Sequence, residues 1–192
     1  RDSVEILSKF INFKIHKFKS GSKVYDWKIP MEWSIKDAFI LNKNNKKIVD
    51  FKKNNLHVVN YSYPINQTIT KKKLFKKIHS IKKNKNLIPY VTSYYKKNWG
   101  FCVKHKDLKK FKENSYFVKI NSSFSIGNVE YGLKILQGYS KKIILLSSYL
   151  CHPSMANNEI SGPLVLLGLY EKIKKMKNRK YTYYSSFFLF FH

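Results

Sequence analysis

The rhythm of hydrophobic positions changes near residue 141, and the chain divides into two stretches there. Before that point apolar residues come in short groups broken by turn formers. Ile6, Leu7, Phe10, Ile11 and Phe13 fit a short amphipathic helix passing into a strand over residues 4–19. Alternation around Val24, Tyr25 and Trp27, broken at Pro30 and resumed at Ile35, predicts short strands and turns. Asn-rich turns at 42–45 and 54–55 and the β-branched pair Val58 and Val59 continue in that style. Leu74, Phe75, Ile78 and Ile81 stand at helical spacing behind Thr70, a capping residue type, so TKKKLFKKIHSIKKN is expected to form a helix. Residues 87–105 read as strand, turn and strand, 107–114 as a short polar helix or turn, and 115–120 and 129–136 as strands. This first stretch is a β-rich module with one small helix.

From Lys141 the pattern lengthens. KKIILLSSYL is a continuous apolar run after a turn at Gly138, the mark of a strand buried on both faces in a parallel sheet. SGPLVLLGLYEKIKKMKNRK predicts a helix with Ser161 at its cap and Pro163 in its first turn. Leu166, Leu167, Tyr170 and Ile173 form its stripe, and basic residues gather at its end. Residues 181–191 are aromatic and begin with alternation, which suits another buried strand; they fall well short of the roughly 20 residues that span a bilayer. Strand, loop, helix and strand make an α/β unit.

Composition narrows the classes. The 192 residues, 43% of them hydrophobic, allow a packed domain or one and a fraction. Lys plus Arg number 38 against 11 Asp plus Glu, a net charge of +27 that draws polyanions without selectivity. Lysine far outnumbers arginine, and Asn, Ile, Phe and Tyr are abundant, as an AT-biased coding sequence would also produce. The lysines lie in scattered groups such as Lys71–Lys73, Lys76-Lys77 and Lys82-Lys83, without an arginine-aromatic reading motif, so no sequence-specific nucleic-acid partner is expected. Cys102 and Cys151 are too few for a disulfide framework or a Cys-based zinc motif. With charges throughout RDSVEILSKF, they point to a reducing, cytoplasmic setting without a membrane partner. Oligomeric state is left open.

Candidate chemistry concentrates in SSYLCHPSMANNEISGP, residues 147–163. This loop leaves the carboxyl end of the predicted buried strand, where open α/β sheets gather their ligand sites. His152 can turn a ring nitrogen toward a metal there, with Pro153 stiffening the exit; a packed structural histidine fits the same place. The other residues invite plainer readings. His57 is expected to be packed or hydrogen-bonded, and His16, His79 and His105, among lysines, to be solvated. Tyr94, Tyr95 and Trp99 suit a core more than a substrate pocket, and Asp26 and Glu32 suit turns more than acid-base chemistry.

CHPSMANNEISGP also resembles the metal loop of a bacterial family with an aminopeptidase-like domain, related in fold to zinc-dependent aminopeptidases and often associated with polysaccharide biosynthesis loci. GSKVYDWKIPMEWSIKDAFI, LHVVNYSYPIN and IPYVTSYYKKNWGFC resemble successive blocks of the same family's N-terminal half, and the likeness covers roughly residues 4–182. The resemblance implies an α/β fold that is the start of a zinc-aminopeptidase-like three-layer core. Residues 1–20 would open that core, 21–128 would form an inserted β-rich module, and 129–192 would return to the core.

The resemblance further implies His152 as the first zinc ligand, Asn158 in the place of a carboxylate that bridges two metals, and Ser161-Gly162 as the step opening the helix. A neutral amide offers one carbonyl oxygen with little charge, so a single metal or a weak second one is expected. Glu159 supplies charge only if the loop turns differently. The family's general-base glutamate lies beyond the next strand, whereas no acidic residue follows Glu171 here. The expectation is therefore a fragment of a metal-dependent hydrolase acting on a peptide or amide bond, inactive as it stands, with no catalytic residue of its own and with zinc belonging to the complete protein. Its ending, YTYYSSFFLFFH, reads as a cut or frameshifted continuation. A noncatalytic basic module that binds nucleic acid or acidic polysaccharide is the competing expectation.

Overall fold

The structure, a computed structural model, describes residues 2–94, 96–152 and 154–189. The readings placed on Tyr95 and Pro153, and the last part of the terminal strand, lie outside the described residues. In chain order the first elements are α1 (Asp2–Ser8), β1 (Lys14–Lys19), β2 (Lys23–Val24), β3 (Trp27–Lys28), β4 (Glu32–Leu41), β5 (Lys47–Asp50), β6 (Ile65–Thr70) and α2 (Lys71–Phe75). They are followed by β7 (Ile78–His79), β8 (Phe101–Cys102), β9 (Ser115–Ser125), β10 (Asn128–Leu136), β11 (Ile143–Leu150), α3 (Ala156–Lys174) and β12 (Thr182–Leu189). The elements form two compact units: one joins the chain up to Glu32 with the chain from Ser125 on, and the other is Trp33–Phe124.

The Trp33–Phe124 unit is built on a sheet of order β5-β4-β9-β6, whose outer pairs run antiparallel. Alternation along β4 and β9 sends Ala38, Ile40, Tyr116, Val118 and Ile120 into its core beside Leu74 and Phe101. Two expectations change here. Thr70 does cap α2, its hydroxyl accepting from the Lys73 amide at 3.4 Å, but the helix stops at Phe75. Ile78 and His79 instead pair parallel with Phe101 and Cys102, and this tertiary pairing outweighs helical spacing. Val58 and Val59 form no strand: Asn54 caps a single 3₁₀ turn, Asn55–His57, and Val58 makes one isolated bridge to Phe101. The first strand expected within residues 87–105 is likewise reduced to a bridge between Asn60 and Thr92.

The unit formed by the chain ends carries a four-stranded sheet of order β1-β10-β12-β11, with β11 and β12 parallel and the other pairs antiparallel. Leu7, Ile11, Phe13, Leu166, Tyr170 and Phe187 form its core, so α1 and α3 cover the same sheet face. Gly132 in β10 makes room for it: a Cβ there would overlap the Phe13 ring. The opposite face carries the His16–Tyr131 stack, at 4.8 Å between centroids, so His16 is engaged with an aromatic neighbour and not simply solvated.

The double burial expected of β11 does not occur. It is an edge strand whose residues alternate between exposed and half-buried, with Leu145 62% exposed, because helices among the described residues cover one face only. No helix among the described residues is long and apolar enough to cross a membrane.

Candidate metal centre

The loop after β11 is short because α3 starts early. The helix was expected at Ser161; it begins at Ala156 behind Met155. Ser154, with φ of 61°, reverses the chain in the left-handed region, and the Glu159 amide already donates to the Met155 carbonyl at 2.9 Å. Ser161 is inside the helix, its hydroxyl donating back to the Asn157 carbonyl at 2.6 Å, and Pro163 lies deeper still. Gly162 has a packing role: a Cβ at this position would overlap the Ser148 hydroxyl, so α3 and β11 approach closely there.

This early start turns Glu159 back toward the strand end. Its side chain is 8% exposed, and its carboxylate accepts from the backbone amide of Cys151, from the Asn158 amide at 2.7 Å and from His152 Nδ1 at 2.7 Å. Burial pushes the Glu159 carboxyl upward, but the amide and ring donors from Cys151 and His152 together hold it below the usual range. The position in the first helical turn suits a negative charge. Cys151 Sγ lies 2.8 Å from His152 Nδ1. Burial first, and then the Glu159 charge, push the Cys151 thiol up to about 12.

Sulfur, nitrogen and oxygen atoms of Cys151, His152 and Glu159 all lie within 4.8 Å of one another. That mixed donor set matches zinc, which accepts thiolate, imidazole and carboxylate and in catalytic sites takes three protein ligands plus a water. A carboxylate hydrogen-bonded to a histidine ring also fixes ring orientation and raises its basicity as a ligand. Asn158 is drawn into the same cluster but faces it with its NH₂ group; its carbonyl oxygen accepts from the Tyr149 hydroxyl at 3.2 Å.

The sequence had singled out His152 and Asn158. The sequence gives Glu159 a charge-supplying role only on a different loop path, which the early helix start provides, and two cysteines far apart in sequence form no zinc motif, so Cys151 carries no signal of its own. An acidic residue shortly after a strand end and a polar Ala-Asn-Asn run was the available signal for both the helix start and the third donor.

The remaining residues serve structure. His57 Nδ1 donates to the Cys102 carbonyl at 2.7 Å, as a packed histidine would, although it ends a 3₁₀ turn and not a strand. His79 and His105 are half-buried where solvation was expected, and His105 Nδ1 pairs with the Ser80 hydroxyl at 3.0 Å. Tyr94 lies 4.2 Å from the Tyr61 ring and packs with Trp99 against the core of the Trp33–Phe124 unit. Glu32 accepts from the Asn128 amide at 3.2 Å, a structural contact.

His57 gives a pH prediction. Burial lowers its pKa below the usual 6.5, outweighing the Cys102 carbonyl and Asp107, which favour the charged ring. The unfolded chain then binds more protons than the folded one, so stability is retained above the unfolded value and falls as pH drops toward the folded value. Urea denaturation should show that the parent loses more stability than His57→Gln between about pH 7.5 and about pH 5.5.

Comparisons with known proteins converge on one relationship. A family described as a domain of unknown function, DUF2172, matches residues 32–123. A Clostridium acetobutylicum protein described as a polysaccharide biosynthesis protein with an aminopeptidase-like domain is 43% identical over 183 residues; the match covers 95% of this chain and 42% of that protein. A crystal structure of a C. acetobutylicum protein described as a peptidase superposes with a TM-score of 0.87 at 42% identity, covering 97% of this chain and 44% of the other. BSAP, a zinc aminopeptidase from Bacillus subtilis, shares the fold alone, with a TM-score of 0.61 at 11% identity over 98% of this chain and 54% of its own. The chain thus spans less than half the length of the Clostridium relatives. Identity along nearly all of its residues, together with the common fold, makes the chain similar to part of an aminopeptidase-like protein, and its residues 32–123 match the DUF2172 model.

Proposed function

We propose that the chain supplies the strand-end part of a zinc centre in a hydrolase of peptide or amide bonds, including amides carried on a sugar. The observation that carries this reading is the convergence of Cys151, His152 and Glu159 at the carboxyl end of β11, within 4.8 Å of one another. His152 and Cys151 would hold the metal from the loop and Glu159 from the first turn of α3. Zinc bound there supplies a water acidified toward neutral pH.

Asn158 supports a single-metal arrangement. Its amide NH₂ steadies Glu159 and its carbonyl is engaged by Tyr149, so it brings no charge to a second dication. As a ligand that also accepts from His152 and the Cys151 amide, Glu159 is not a separate proton shuttle. The 192-residue chain by itself is therefore a metal-binding piece without turnover. The unpaired thiols Cys102 and Cys151 support a reducing, cytoplasmic setting.

Cobalt(II) substitution tests the reading. Titration should give tetrahedral d–d bands with a sulfur-to-cobalt charge-transfer band, and Cys151→Ser should remove the latter while weaker binding persists. The same preparations should release no chromophore from aminoacyl p-nitroanilides. A six-coordinate, sulfur-free spectrum in the parent would contradict the assignment.

A further inference from the structure

The Trp33–Phe124 unit holds a cleft of about 570 Å³, far from plain in its chemistry. It lies between the β4–β5 hairpin, the Asn55–His57 turn and the 3₁₀ helix His105–Lys110. Its volume falls in the range of small-molecule sites, roughly 300–1,000 Å³.

Three kinds of group line it. Lys47 and Lys110 pair with Asp50 and Asp107, at 3.4 and 2.9 Å, so these four side chains largely neutralise each other. Lys46 and Lys53 add positive charge on the hairpin side. His57 is half-buried, and because its Nδ1–H donates to the Cys102 carbonyl, its neutral ring carries the lone pair on Nε2. The cleft thus combines fixed cations, carboxylate acceptors and an imidazole acceptor.

A bare anion would meet Lys46 and Lys53 but bring no donor to Asp107 or to the ring acceptor of His57. A neutral sugar would satisfy the acceptors and leave the lysines without a partner. A ligand with an acidic group at one end and several hydroxyl donors at the other satisfies both sets, since hydroxyls donate to Asp107 and Nε2 while lysines bind the anion. We propose that this cleft binds a monosaccharide unit bearing one acidic group, a uronic acid or a sugar phosphate. The proposal is independent of the metal centre.

Nitrogen-15 NMR of the full 192-residue chain tests it, with glucuronate, glucose-6-phosphate, glucose and inorganic phosphate as probes. At least one acidic sugar should shift amides of the β4–β5 hairpin and of His105–Phe111, about tenfold more tightly than glucose or phosphate. The better of the two acidic sugars identifies the acid as carboxylate or phosphate. Lys46→Glu with Lys53→Glu should abolish those shifts, whereas Lys72→Glu with Lys73→Glu, an equal change of charge on exposed surface elsewhere, should leave them in place. The proposal is overturned if phosphate binds as well as the acidic sugars, if both charge reversals act alike, or if neither acidic sugar shifts the cleft at millimolar concentration.

Discussion

Zinc binding by the chain should weaken about a hundredfold in His152→Ala and about ten- to a hundredfold in Glu159→Gln, measured by competition with a chromophoric chelator. The two losses have different origins. Removing the His152 ring takes away the imidazole donor and also the 2.7 Å partner of Glu159. Glu159→Gln keeps nearly the same shape but removes the charge offered to the metal and puts a donor in place of one of two acceptors, either opposite the Cys151 amide or opposite Asn158 and His152. If the two changes were made together, their effects should fall short of the sum, because they act on one hydrogen-bonded unit.

The largest stability effect is expected at Phe187. This side chain is 1% exposed and stands at 5.8 Å from the Phe13 ring in the core shared with Leu166 and Tyr170 of α3. Phe187→Ala should cost about 3–5 kcal/mol in urea denaturation, from lost burial and the cavity left behind. Leu145→Ala, on the exposed side of β11, should stay within about 0.5 kcal/mol, which separates packing from mere hydrophobicity. The Phe187 change should also weaken zinc binding, since that core holds α3, and with it Glu159, against the sheet.

Strands β9, β10, β11 and β12 were legible in the sequence because each is a long apolar or alternating run whose partners lie within reach. The start of α3 was not. Ala156 to Glu159 is polar and carries no apolar stripe, while Ser161 has the look of a cap and Pro163 the look of a first-turn residue. The helix nevertheless tolerates both, with Ser161 bonding back to the Asn157 carbonyl. That hidden first turn is what brings Glu159 to His152, so a six-residue shift of the cap, from Ser161 to Met155, concealed a third of the candidate site. At α2 the error ran the other way, since Ile78 kept helical spacing yet was taken by pairing with Phe101. Burial along β11 was misjudged because hydrophobic content alone does not tell a central strand from an edge strand.

Zinc K-edge X-ray absorption on the zinc-loaded chain tests the central claim most directly. A metal held by Cys151, His152 and Glu159 should show one sulfur at about 2.3 Å beside nitrogen and oxygen neighbours at about 2.0–2.1 Å, with imidazole scattering that disappears in His152→Ala. A shell of oxygen and nitrogen alone that is identical in the parent and in His152→Ala would contradict a metal centre at this strand end.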